Sequence, residues 1–270
     1  MQFTEYGCPT GKPVVYFHGV PGAPSEAAVS HHPALQQGLR VLCFERFTVP
    51  ASNRDAAYYR QIAAAIREVV ENTTVDFVGF SMGTHVALAC ASCMQAQVVS
   101  LHLVSAVAPL QAGDFLDAMA GKAVFNLAQK RPWLFKLLAR WQEFLSRRAA
   151  AALFRLLFAS AQGQDKQLAS QADFQQFIAS TLADCFRPGV EGYSRDIEQY
   201  LSPWAVPVFA HEPPIYLWHG SEDNWSPIAM AEHLAATLPC ATLQRGAGLS
   251  HYSCLYDAAP KICEVIGVRP

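Results

Sequence analysis

The stretch "VDFVGFSMGTHVALA", residues 75–89, places one serine, Ser81, between Gly79 and Gly83. Strand formers precede the serine (Val75, Phe77, Val78) and helix formers follow it (Ala87, Leu88, Ala89). The pattern predicts a strand, a tight turn and a helix, with Ser81 on the turn. A side chain at position 79 or 83 would collide with neighbouring chain on so tight a turn. The turn lifts the hydroxyl out at the strand end and sets it at a helix N-terminus. Free N–H groups and the helix dipole favour developing negative charge there. That environment suits a nucleophile attacking a carbonyl.

The surroundings repeat the same rhythm. "VVYFHG" (14–19), "RVLCFE" (40–45), "VVSLHLVSA" (98–106), "PIYLWHG" (214–220) and "ATLQRG" (241–246) read as strands. Helical spacing runs through "RDAAYYRQIAAAIREVVEN", with Asn53 as its expected cap. Apolar strands separated by helices imply an α/β fold, a mostly parallel sheet covered on both faces. From Pro109 to Trp204 no strong strand appears, and Ala, Leu, Phe and Gln dominate. The expected organisation is a core domain of residues 1–109 and 205–270 with an all-helical insertion at 110–204.

With 270 residues, 51% apolar and 16% charged, the chain can bury a sizeable core. A net charge of −2 and a pI of about 6.5 give no field that points to nucleic acid. No secretory signal opens the sequence, and no apolar run reaches the roughly 18 residues of a membrane span. The eight cysteines lie in apolar surroundings, which predicts buried thiols and a reducing, cytoplasmic location. Cys90 and Cys93 form a C-x-x-C inside a helix, without the second pair of a zinc site and without the helix-opening position of a redox motif.

A serine nucleophile needs a base, and the base an orienting acid. Of nine histidines, His102 falls mid-strand, His85 mid-helix, and His31 and His32 in a surface segment. His251 follows the loop "RGAGLS" after the last strand and precedes the final helix, so it can reach over the strand ends. The loop after the preceding strand, "WHGSEDNWSP", supplies Glu222 and Asp223 as candidate acids.

These segments together resemble the α/β-hydrolase superfamily, in particular its serine-nucleophile members with an H-G-x-P-G loop and a helical cap. "HGVPGAPS" (18–25) is similar to the oxyanion loop and "GFSMG" (79–83) to the nucleophile elbow. "HGSEDNWSP" (219–227) resembles the acid loop, "GLSHYS" (248–253) the histidine loop, and "RPGVEGYSRDIEQYLSPW" the last cap helix. The resemblance covers nearly the whole chain. It implies Ser81 as nucleophile, Asp223 rather than Glu222 as acid, and His251 as general base. It implies the backbone N–H groups of Val20 and Met82 as oxyanion donors, with Gly19 allowing close approach and His18 bracing the loop. The sequence departs from the family in "ERFTVPASN" (45–53), which lacks the glycines of a loop that borders the site in relatives, and in Thr84, where glycine is common. "QFTEYG" (2–7) corresponds to the second family strand, so the first edge strand is expected to be absent.

Serine at the nucleophile position implies acyl chemistry on a small-molecule acyl substrate, with no metal and no organic cofactor. Carboxylester hydrolysis is the plain reading. Thioester, lactone, amide or carbon–carbon bond hydrolysis, acyl transfer and perhydrolysis use the same parts. A non-catalytic ligand-binding homologue is the rival from another class, and the complete set of three residues argues against it. The cap carries eight basic residues between Lys122 and Arg155 against Glu143 alone. Arg140, Arg147 and Arg148 are expected on one solvated helix stripe over an apolar face that covers the site. The alternatives are a membrane surface or an anionic acyl carrier as partner. Oligomeric state does not follow from the sequence.

Overall fold

The structure, a computed structural model, describes residues 1–71 and 73–269. Among these, seven strands form one sheet: β1 (Phe3–Gly7), β2 (Lys12–Phe17), β3 (Leu39–Phe44), β4 (Val75–Phe80), β5 (Val98–Val104), β6 (Ile215–Gly220) and β7 (Ala241–Gly246). Their order is β1-β3-β2-β4-β5-β6-β7. β1 pairs antiparallel with β3, and the other neighbouring pairs are parallel. Every residue of β4 is buried, as a central parallel strand covered on both faces must be. Its one charge, Asp76, lies 3.0 Å from Arg269 and 3.6 Å from Lys12.

Helices α1 (His31–Gln36), α2 (Asp55–Val70) and α3 (Gly83–Met94) connect the first five strands. α4 (Lys122–Lys130), α5 (Pro132–Arg148), α6 (Ala150–Leu157), α7 (Asp165–Leu168), α8 (Ala172–Cys185) and α9 (Glu191–Leu201) lie between β5 and β6. α10 (Ile228–Thr237) and α11 (His251–Gly267) complete the chain. α2 packs with α3, and α1 with α11.

Local details differ from the sequence reading. Asn53 does not cap α2; Arg54 holds the N-cap position, and the Asn53 amide donates to Gln61 at 2.6 Å. The thiols are all free and most are buried, but Cys240 is exposed, on a positive-φ turn just before β7. The largest difference is in α5. Its buried face is Phe135, Ala139, Gln142 and Ser146, while Trp133, Leu137, Trp141 and Phe144 face outward. Arg140, Arg147 and Arg148 are solvated, but they share the outward side of the helix with an exposed apolar stripe.

The turn at Ser81 shows why glycine is required beside it. A Cβ on Gly83 would overlap the carbonyl oxygens of Phe17 and His18 at the end of β2. A Cβ on Gly79 would stand 2.8 Å from the Thr84 Cα. α3 can start against the sheet only because both atoms are missing. Gly83→Ala is expected to force backbone apart and cost at least ~3 kcal/mol, more than ordinary core overpacking. Urea unfolding monitored by fluorescence measures this, and a variant within error of wild type would refute the packing account.

Candidate active site

Ser81 ends β4 with φ +54°, a left-handed conformation costly for any residue but glycine. Its N–H donates to Val104 at 3.0 Å. Its carbonyl accepts the Thr84 N–H at 3.0 Å and the Thr84 hydroxyl at 2.7 Å. The same hydroxyl accepts the Val107 N–H at 3.1 Å. Thr84 thus ties the strained turn to the chain leaving β5, a role a glycine there could not fill.

His251 opens α11 instead of standing in the loop before it, with Ser250 at the N-cap position and its N–H donating to the Ser253 hydroxyl at 2.7 Å. Its Nδ1–H donates to Asp223 Oδ2 at 2.8 Å, which leaves the lone pair on Nε2. Asp223 Oδ1 accepts the N–H groups of Trp225 at 2.9 Å and Ser226 at 3.0 Å. Burial raises the Asp223 carboxyl's pKa, but the charge and hydrogen bond of His251, with His219 and Ser226, outweigh it and hold the group at about 2. Glu222 next to it is exposed, so geometry selects Asp223 as the partner of His251. The His251 ring lies between Phe80, 4.8 Å away, and Trp225, stacked at 5.4 Å. The other inland histidines behave as core residues. Burial lowers His85 to about 4 and His102 to about 3; they stack on Trp204 and Tyr216.

Ser81 opens on a cavity of about 90 Å³ lined by Val20, Met82, Phe125, Gln142, Leu157 and Trp225, among others. Among the described residues, the Ser81 hydroxyl joins no protein hydrogen bond, and the N–H groups of Val20 and Met82 donate to no protein acceptor. The structure thus brings His251 onto Asp223 but does not close a bond from Ser81 to His251, a looseness common in unliganded sites. Phe125 and Tyr193 line the cavity, whereas Trp133 and Trp141 do not.

Gly19 is held at both of its backbone groups, which lie in successive peptides. Gly19 N–H donates to buried Glu26 at 2.8 Å. Gly19 carbonyl accepts His18 Nδ1–H at 2.9 Å and Arg46 at 3.2 Å. Because the peptide is planar, anchoring that carbonyl sets the direction of the Val20 N–H. His18 is kept neutral: burial, then the nearby Arg46 charge, push it well below its usual range. Burial works against the Arg46 charge, but Asp196 outweighs it, and the pair meet at 2.7 Å. Asp196 also accepts from Tyr58 at 2.9 Å and from Arg195. The segment 45–53 therefore shapes the site by backing the Gly19 carbonyl; it is not part of the lining around Ser81.

A second carboxylate from the helical segment reaches the sheet. Asp165 of α7 accepts the N–H groups of Tyr252 at 3.0 Å and Ser253 at 2.7 Å, at the start of α11. It neutralises donors that a helix N-terminus leaves free, one residue from His251. Sequence reading missed Glu26, Asp165 and Asp196. Asp165 and Asp196 act across 88 and 150 residues of chain, and Glu26 reaches back only seven, to a backbone N–H that no local pattern announces. Arg46 was marked in the sequence only as part of the altered segment 45–53.

The sheet order, the single antiparallel edge strand and the strand–serine–helix turn define the α/β-hydrolase fold. Residues 14–264 match the model of the Alpha/beta hydrolase family, and the chain belongs to that family. No curated protein sequence matches it. Similar solved structures include a bromoperoxidase from Bacillus anthracis, with TM-score 0.67 and 15% identity over 98% of this chain and 92% of that one. Another is an esterase from Exiguobacterium antarcticum, with TM-score 0.64 and 17% identity over 98% and 92% of the two chains. A thermophilic esterase from Thermogutta terrifontis gives TM-score 0.64 and 15% identity over 98% and 90%.

Glu26 yields a prediction with a defined sign. Burial raises its pKa from 4.5 to about 7 against the pull of Gly19, Arg46 and Tyr16, and Oε2 has no hydrogen-bond partner. A raised folded pKa contributes stability below pH 4.5 that is lost as pH climbs through about 7. Glu26→Gln should remove this slope. The variant should gain roughly 3 kcal/mol on wild type between those two pH values, read by urea unfolding. Parallel pH profiles would show that Glu26 ionises normally.

Proposed function

We propose that this protein is a serine hydrolase that cleaves a small acyl ester through an acyl-enzyme on Ser81. The observation that carries the reading is the buried Asp223–His251 hydrogen bond at 2.8 Å, set beside a serine on a strained turn. In this reading Asp223 holds His251 in the tautomer whose Nε2 takes the Ser81 proton. Ser81 Oγ attacks the carbonyl carbon, and the developing oxyanion is met by the N–H groups of Met82 and Val20. His251 then returns its proton to the leaving alcohol. Water enters by the same steps in reverse order of roles and frees the acid.

Arg46 and His18 act through the Gly19 carbonyl. Both polarise the peptide whose N–H faces the oxyanion. Residues 110–204 serve as a cap over the core of 1–109 and 205–270, with Phe125, Leu157 and Ile197 covering the acyl group. A cavity of about 90 Å³ lined mainly by apolar side chains favours a small acyl group. Two of the similar solved structures described above are named esterases, which agrees with ester cleavage.

The test is labelling with a fluorophosphonate and mapping of the modified peptide by mass spectrometry. Modification is expected on Ser81 and should vanish in His251→Ala. Short-chain p-nitrophenyl esters should lose on the order of 10⁴-fold or more in kcat with Ser81→Ala. An unlabelled Ser81 in folded protein, with ester turnover intact in Ser81→Ala, would end the proposal. The acid is tested separately. Asp223→Asn should cost about 10⁴-fold in kcat while Glu222→Gln stays within roughly twofold, and the reverse result would reassign it.

A further inference from the structure

Helix α5 is apolar on two opposite faces. Phe135, Ala139, Gln142 and Ser146 recur every three or four residues and turn inward, with Gln142 reaching the cavity of Ser81. Trp133, Leu137, Trp141 and Phe144 recur with the same spacing, shifted by two residues, or about 200° around the helix. They are 62%, 57%, 48% and 59% exposed. One stripe accounts for the packing of α5 on the protein, and the other packs on nothing in this chain. Leu156 on α6 is a further exposed apolar side chain in the same segment.

Charge distinguishes among the surfaces that could cover the stripe. Of the basic residues from Lys122 to Arg155, Lys122, Arg140 and Arg147 have carboxylate partners in Asp117, Glu191 and Glu143. Lys130, Arg131, Lys136, Arg148 and Arg155 are exposed and, among the described residues, lie within 4.0 Å of no carboxylate. The chain as a whole has a net charge of −2, so this segment is a local reversal of sign. A second copy docked by twofold symmetry would set the same cations against one another. A soluble anionic carrier in the groove beside Lys136 and Arg140 would meet Glu191 and Glu198, which already hold Arg140 and Arg54. An anionic bilayer satisfies both features at once. Tryptophan and leucine enter the headgroup boundary, and unpaired lysine and arginine meet lipid phosphates.

We propose that α5 docks this protein on an anionic membrane surface, lying in the interface through Trp133, Leu137, Trp141 and Phe144. Docking is a property of the outward face and does not depend on the chemistry assigned to Ser81. It places the helix that contributes Gln142 to the cavity in direct contact with the bilayer.

The experiment is co-sedimentation of the full chain with vesicles of phosphatidylcholine alone and of an equimolar mixture with phosphatidylglycerol. Wild type and Ser81→Ala should both bind the anionic vesicles at least roughly tenfold more tightly than the neutral ones. Serine at all four stripe positions should weaken binding roughly tenfold or more. Lys130→Glu with Arg131→Glu and Lys136→Glu should weaken it by roughly a hundredfold, at about fivefold per cation removed. Trp133→Phe with Trp141→Phe should keep binding yet lose fluorescence quenching by brominated lipid. Circular dichroism and thermal midpoints should not change, because these side chains are exposed. The proposal is overturned if wild type ignores anionic vesicles, if it binds both compositions equally, or if the fourfold serine variant binds as well as wild type. It is also overturned if sedimentation velocity finds a dimer that those serines abolish, which would make a second copy the occupant.

Discussion

The peptide joining Gly19 to Val20 is the element on which the site turns. Its carbonyl accepts from His18 and Arg46, and the peptide before it is tied through the Gly19 N–H to Glu26. A planar amide gripped at its carbonyl has little freedom left, so the neighbouring Val20 N–H keeps its aim without help from a ligand. The grip requires a cation inside the protein, and a buried cation requires a buried anion. That anion is Asp196, on α9, a helix that stands some 150 residues away in the chain. The conformation of a loop at the end of β2 thus depends on how the helical segment seats on the sheet.

Asp165 repeats the arrangement on the other side of the site. Where Asp196 acts on the loop behind the proposed oxyanion donor, Asp165 satisfies the first turn of α11 and so fixes the helix that begins with His251. Two carboxylates from one helical segment therefore brace two separate parts of the site. Movement of that segment would alter both together. The strain at Ser81 is held differently, by close packing and by Thr84, both local to the sheet.

The outward stripe on α5 belongs to the same segment. A helix whose inner face lines a cavity and whose outer face is apolar couples the two environments through a rigid rod. The packing of Gln142 against Tyr193, at 3.0 Å, ties that rod to α9 and hence to Asp196.

Much of this was legible in the sequence. Strand and helix positions followed from hydrophobic period, which burial imposes locally. Ser81, Asp223 and His251 stood out because each sits at a strand end in its own short motif. The Asn53 cap misled because a cap residue one position too early is indistinguishable by composition. The outward stripe of α5 was not legible, because helical spacing reveals an apolar stripe but not which way it points. Burial and the hydrogen bond to His251 distinguish Asp223 from its exposed neighbour Glu222, a difference that spacing in the sequence does not carry. Chain-local chemistry was thus written in the sequence: the turn, its glycines, the alternation of strands and helices. Only the tertiary structure decided the pairings of Arg46, Asp165 and Asp196, because a buried charge finds its partner in space, across distances in the chain where no residue pattern repeats.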